Sequence, residues 1–84
     1  MNVFVPSYDE SGFKFVWEDD FSIKCSIEDG SVRIEANKGG LISLARHLLE
    51  LAQEGVPEFT HIHLDEYNSL EEESAELVVI RREE

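Results

Sequence analysis

Between Phe13 and Ala36 apolar and polar residues alternate with period two. Phe13, Phe15 and Trp17 share one parity. Phe21, Ile23, Cys25 and Ile27 then share one, with Ser22, Lys24, Ser26 and Glu28 between them. Such alternation predicts strands with one face buried and one in water. Asp29-Gly30 interrupts the pattern with two residues that both tolerate positive φ, the signature of a two-residue hairpin turn. Closing the chain there sets Ile27 opposite Val32, Cys25 opposite Ile34 and Ile23 opposite Ala36, with Lys24 opposite Glu35 on the other face. Apolar meets apolar and opposite charges meet, and a slip by one residue would undo both. Upstream, a three-residue connection at Glu18-Asp19-Asp20 is expected to pair Trp17 with Phe21 and Phe15 with Ile23.

Asn37-Lys38-Gly39-Gly40 breaks the strand, and the spacing that follows predicts a helix over 41–54. Leu41, Ile42, Leu44, Ala45, Leu48, Leu49, Leu51 and Ala52 fall within about half of its wheel. Ser43, Arg46, His47, Glu50, Gln53 and Glu54 fill the other half, so the helix is expected to lie flat on a sheet with the polar arc in water. Gly55 is the expected C-cap, with Pro57 beyond it. Two strands remain. His61-Ile62-His63-Leu64 alternates, whereas Glu76-Leu77-Val78-Val79-Ile80 is apolar on both parities and is therefore expected in a central position. The fold class that results is α+β. A single antiparallel sheet of about five strands, in the order 1-2-3-5-4, carries one helix across one face. Residues 1–84 are expected to form one domain, with 1–12 either an edge strand at Val3-Phe4-Val5 or a loose arm.

Charge narrows the classes of function. Nineteen Asp and Glu against seven Lys and Arg give a formal net charge of −12 in 84 residues. That sign opposes direct binding to nucleic acid, which draws its affinity from cations on phosphates. It equally opposes docking on anionic lipid. With 42% hydrophobic residues in periodic arrangement, the chain is not expected to be disordered. A single cysteine, no basic N-terminal region and no apolar run near the ~18–20 residues of a membrane span lead to a cytoplasmic expectation.

His61-x-His63-x-Asp65 is the one arrangement with the look of a site. Side chains two apart on a strand share a face, and two imidazoles with a carboxylate are a ligand set for Zn²⁺ or Fe²⁺. The same spacing also arises when Ile62 and Leu64 take the core and leave the histidines in water. This second reading needs no further assumption, and on it no metal and no cofactor are expected. Catalytic templates fail as well. Cys25 lies on the apolar parity, Ser43 and His47 lack an oxyanion site, and Asn37 to Gly40 is too short for a phosphate loop. Phe13, Phe15 and Trp17 read as core. No catalytic residue and no enzymatic activity are expected.

From His47 to Ile80 there are nine carboxylates and no Lys or Arg. Such a stretch can be a solvated surface or one that attracts a basic partner. The expected partner-binding residues are His61, His63, Asp65, Glu66, Glu71, Glu72 and Glu73. The face with Lys24, Arg33 and Glu35 is the next candidate.

Several segments resemble a known family. Glu35-Ala36-Asn37 leads through Gly39/Gly40 to Leu41, and Leu44-Ala45-x-x-Leu48 and Leu51-Ala52 follow. His61-Ile62-His63-Leu64-Asp65, Leu70-Glu71 and Ser74-x-x-Leu77 complete the pattern. Over roughly residues 31 to 80 this is similar to the immunity protein 32 family of bacterial polymorphic toxin systems. The resemblance implies a cytoplasmic protein that binds and neutralises a cognate toxin, possessed of a basic surface and of a class that includes nucleases. The alternative is a small metal-binding or regulatory domain that uses His61, His63 and Asp65.

Overall fold

A computed structural model describes residues 1–83. Its regular elements are β1 (Ile23–Glu28), β2 (Ser31–Ala36), α1 (Lys38–Leu51), β3 (His61–Leu64) and β4 (Leu77–Ile80). The architecture is α+β with antiparallel strands, as expected, but the strands form two two-stranded ladders, β1–β2 and β3–β4.

The first hairpin has the predicted register throughout, with Ile27 paired to Val32, Cys25 to Ile34, Ile23 to Ala36 and Lys24 to Glu35. Asp29 and Gly30 both take positive φ, 50° and 80°, the turn geometry whose twist matches the strands. Residues 13–17 form no strand in the structure. Trp17 still meets Phe21, with rings stacked at 4.5 Å, so the side chains make the expected contact without a backbone ladder.

The helix begins three residues before its predicted start. Asn37 caps it by accepting from the amide of Gly40 at 2.8 Å, and the same carboxamide binds Ser22 N and Asp20 O. The glycines are needed because the helix start presses on the hairpin. A Cβ at Gly40 would collide with the carbonyl of Ser22 and lie 2.9 Å from Ile23 and 3.1 Å from Ala36. The helix ends at Leu51, and Ala52 rather than Gly55 is its C-cap.

Its orientation reverses the expectation. Gly40, Ser43, Arg46, His47, Glu50 and Leu51 are the buried positions, while Leu41, Leu48 and Leu49 are exposed. The cause is residues 4–18, which run over the polar arc as irregular chain. A segment outside regular structure needs partners for its backbone groups, and the helix supplies them. Ser43 Oγ accepts from Glu18 N at 2.8 Å and Glu50 Oε2 from Lys14 N at 2.7 Å. Gln53 accepts from Tyr8 N and donates to Pro6 O. Arg46 donates to the carbonyls of Phe4 and Val16. Spacings of three and four residues put Ser43, Arg46 and Glu50 in one row along the helix, and Gln53, just past its C-cap, continues it. A tight turn shapes the arm, with Gly12 N donating to Asp9 O. There Ser11 donates to the Asp9 carboxylate through hydroxyl and amide, and Lys14 lies 3.2 Å away; together they lower the Asp9 pKa to about 2.

The last strand is not flanked by strands on both sides. Among the described residues β4 pairs with β3 alone, and Val78 and Ile80 on its outer parity are 43% and 53% exposed. The chain just before it runs along β1, where Glu71 N donates to Ile23 O and Ala75 N to Cys25 O. The final segment thus bonds to two neighbours in succession, β1 and then β3, and among the described residues forms no ladder with β2. The expected order 1-2-3-5-4 is corrected accordingly. Residues 13–17 form no strand, which leaves the other edge of β1 open, and the chain over 71–75 takes that edge. Ile23, Cys25, Leu64 and Leu70 form the buried cluster that ties the two hairpins together. Each such burial of an aliphatic side chain contributes about 1.5–3 kcal/mol.

Candidate functional site

The alternation along β3 is as predicted. Ile62 and Leu64 are buried, and His61 and His63 face outward. Pairing sets His61 against Ile80 and His63 against Val78. The outer face of this hairpin therefore carries two imidazoles beside two exposed aliphatic side chains. Phe59, held by its amide to the carbonyl of Arg81, stands exposed at one end. Tyr67, 89% exposed, stands at the other.

Charge gathers at the Tyr67 end. His63 Nε2 lies 3.0 Å from Glu76 and 3.6 Å from Asp65. The contact with Glu76 is an ion pair when the imidazole is protonated and a hydrogen bond from the neutral ring to the carboxylate otherwise. Asp65 also builds the turn that follows. Its carboxylate accepts from Tyr67 N and its carbonyl from the amides of Asn68, Ser69 and Leu70. Asn68 locks the turn to the strand by accepting from Asp65 N and donating to His63 O.

The trio weighed for a metal is not the one the fold assembles. His61 turns its Nδ1 to the carbonyl of Phe59 at 3.2 Å. Glu76 takes its place, and single ligand atoms from His63, Asp65 and Glu76 lie within 4.8 Å of one another. The reason is strand geometry. His61 and Asp65 stand four residues and ~13 Å of rise apart, whereas Glu76, next to the Leu64–Leu77 pair, lies across the ladder from Asp65. All three groups face solvent and already contact one another, so an electrostatic role needs no ion.

The other predicted acidic residues divide. Glu73 N donates to the carboxylate of Glu66 at 3.1 Å, which fixes Glu66 over the loop beside Asp65. Glu71 and Glu72 instead border a shallow depression of about 470 Å³, which they share with Lys24, Glu35 and Asn37. Glu50, one of the nine carboxylates in the stretch without cations, is buried under the N-terminal arm and contributes no surface. Sequence reasoning passed over Glu76, Val78 and Ile80. The signal for Val78 and Ile80 is the strand apolar on both parities, expected in a central position and found exposed on one of them.

A second cluster of chemistry-bearing groups lies inside. His47 is fully buried, with the rings of Trp17, Phe15 and Phe13 at 4.4, 5.3 and 5.9 Å in edge-on arrangement. Burial holds its pKa below the ordinary histidine value of 6.5, the Val16 carbonyl opposes this, and the charge of Arg46 adds to the lowering. Neither ring nitrogen has a hydrogen-bond partner of good geometry, and neither has Glu50 Oε1. The imidazole serves as an aromatic filler between the helix and the arm.

The most specific part of the chain is the His-Ile-His-Leu-Asp strand with the loop and strand after it, and the family comparison falls on the same region. Residues 31–82 match the family described as Immunity protein 32. The chain belongs to the immunity protein 32 family. No curated protein and no solved structure matches it. The matched span contains β2, α1, β3 and β4 and thus the whole outer face of the second hairpin. β1 and the arm over the helix lie before it. Among the described residues, no helix is long and apolar enough to cross a membrane.

Proposed function

We propose that this immunity protein acts in the cytoplasm by binding a cognate protein toxin, and that the outer face of β3–β4 with the adjoining acidic loops is the toxin-facing surface. The observation that carries this reading is the composition of that face. It combines exposed apolar groups, Val78, Ile80 and Tyr67, with Asp65, Glu66, Glu73 and Glu76. Between residues 47 and 80 no Lys or Arg offsets those carboxylates. An apolar centre with a charged rim is the ordinary anatomy of a specific protein interface. A rim of one sign selects a partner of the other and speeds encounter. The partner class is a toxin domain with a basic surface, of which a nuclease is one instance, and the protein acts by occupying that surface rather than by catalysis.

The test is titration of the purified protein against the toxin-domain product of the adjacent gene, with association and dissociation followed at several salt concentrations. Replacing Glu71, Glu72 and Glu73 together by Gln should slow association and flatten its salt dependence, with dissociation nearly unchanged. Association indistinguishable from the parent at low salt would remove the acidic loop from the interface.

A further inference from the structure

The free edge of β2 has a property that its composition conceals. Every residue from Ser31 to Glu35 is exposed, and among the described residues β2 pairs with β1 alone. The β1–β2 ladder fixes which backbone groups remain unpaired. Asn37 N donates to Ser22 O in continuation of the ladder, so odd-numbered residues of β2 turn their amides and carbonyls toward β1. Those of Val32, Ile34 and Ala36 point outward, as alternation along an antiparallel strand requires.

We propose that β2 is the contact edge of a symmetric dimer, in which two copies pair antiparallel about a twofold axis through Ile34. Outward-facing residues must meet outward-facing residues, which restricts the axis to a few positions. Centring it on Arg33 sets Arg33 against Arg33, and centring it on Glu35 sets Glu35 against Glu35. Like charges directly opposite are destabilising. Centring it on Ile34 sets Ile34 against Ile34, Val32 against the partner's Ala36, and Arg33 against the partner's Glu35, twice by symmetry. Charged side chains ordinarily guard an open edge. Here they are opposite in sign and two residues apart, and a twofold axis between them turns the guard into attraction.

Both faces of the extended sheet agree with this register. On the polar face Lys24 already lies opposite Glu35, and Ser26 opposite Arg33. The row across four strands becomes Lys24, Glu35, the partner's Arg33 and the partner's Ser26, so its three charges alternate in sign and the fourth member is neutral. On the apolar face burial fades toward the turn. Ile23 and Cys25 are buried, whereas Val32 remains 65% exposed and Ile34 41%. The register lays Val32 beside the partner's Ala36, at the end of the hairpin that the partner's helix covers. Two isologous strands then bury what each leaves open. The edge lies across β1 from residues 71–75, so pairing there leaves the second hairpin accessible.

The experiment is sedimentation equilibrium over a wide concentration range. The weight-average mass should rise from 9.6 kDa toward twice that value. Arg33→Glu alone and Glu35→Arg alone each place like charges opposite one another, and each should weaken self-association by about tenfold or more. Mixing the two variants restores every unlike pair and should restore association as a heterodimer. In a Cys25→Ala background, which removes the thiol opposite Ile34 in the same chain, Ile34→Cys should cross-link to a dimer under oxidised glutathione, because paired positions lie within disulfide reach. Val32→Cys should not, since the two copies of residue 32 stand ~13 Å apart along the strands. Circular dichroism of each variant at low concentration establishes that the monomer is folded. A mass that stays at 9.6 kDa, a dimer indifferent to both charge reversals, or cross-linking through Val32→Cys in preference to Ile34→Cys would overturn the proposal.

Discussion

Arg46 on the helix donates to the carboxylate of Glu18 at 2.7 Å, joining residues 28 apart in sequence through a guanidinium that is only 6% exposed. Its other nitrogens hold the carbonyls of Phe4 and Val16. A planar donor set with several N–H groups can bind three oxygens from three stretches of chain at once. Arg46→Ala strips two part-buried backbone carbonyls of their partner and unpairs Glu18, at about 0.5–1.5 kcal/mol for each neutral hydrogen bond and about 1.5–3 kcal/mol for the charged one. Urea denaturation should show a loss of about 2–4 kcal/mol, and Arg46→Lys, with fewer and differently directed donors, should recover only part of it.

That contact marks where the sequence could be read and where it could not. The β1–β2 register was legible because Asp29-Gly30, the apolar parity and the Lys24–Glu35 pair all demand the same alignment. The buried face of the helix was not legible. Ser43, Arg46, Glu50 and Gln53 present donors and acceptors that water or a neighbouring backbone satisfies equally well, so an amphipathic wheel cannot tell a solvated arc from one covered by irregular chain. The alternation at Phe13, Phe15 and Trp17 was real but serves packing on His47 rather than a strand ladder. Of the candidate surface, the outward facing of His61 and His63 followed from Ile62 and Leu64. The approach of Glu76 did not: the expected order already pairs the last strand with His61–Leu64, but the register that brings Glu76 beside His63 is not written in the sequence.

His47 predicts a pH dependence with a definite sign. Its pKa in the folded protein is depressed below 6.5, first by burial. Between the two pKa values the unfolded chain therefore binds more protons than the folded one. The stability that His47 permits is complete above about pH 6.5 and declines as pH falls below it. Arg46 and Glu50 are the charged groups on the helix beside it, and the arm contributes the Val16 carbonyl and three aromatic rings. Unfolding free energy measured from about pH 7.5 to pH 5 should fall more steeply for the parent than for His47→Leu. His61 and His63 are common to both proteins, so equal slopes would show that His47 takes no part.

The junction of β2 and α1 should be intolerant of small changes. Gly40→Ala inserts a methyl against the Ser22 carbonyl and the side chains of Ile23 and Ala36, all fixed parts of the hairpin. Overpacking of this kind costs about 1–3 kcal/mol despite the better helix propensity of alanine. Asn37→Ala removes the helix cap and two further hydrogen bonds, to Ser22 N and Asp20 O, and should cost about 1–2 kcal/mol. Thermal unfolding of the two variants and of an exposed control such as Glu72→Ala measures both effects. A control-like midpoint for Gly40→Ala would show that the helix start can draw back.

The candidate toxin-binding face makes a final prediction, about which side chains govern the lifetime of the complex. Asp65 is a poor probe, because its carboxylate caps Tyr67 N and its carbonyl organises residues 68–70. A change there disturbs the turn as well as any contact. Glu76 has no such duty among the described residues beyond its approach to His63. Val78 and Tyr67 bracket it with exposed apolar surface. Aromatic and aliphatic groups at the centre of an interface act mainly on dissociation, with about 2 kcal/mol or more lost at a true hot spot. Exposed charges act mainly on association. Tyr67→Ala and Val78→Ser should therefore speed dissociation from the toxin about tenfold or more while leaving the association rate close to that of the parent. Glu76→Gln should do the reverse and lose its effect at high salt. The check is a kinetic binding assay at low and high salt, with unfolding curves confirming that each variant is intact. If Tyr67→Ala and Val78→Ser both dissociate like the parent, the apolar centre lies elsewhere, and the exposed helix face at Leu41 and Leu48 is the next surface to probe.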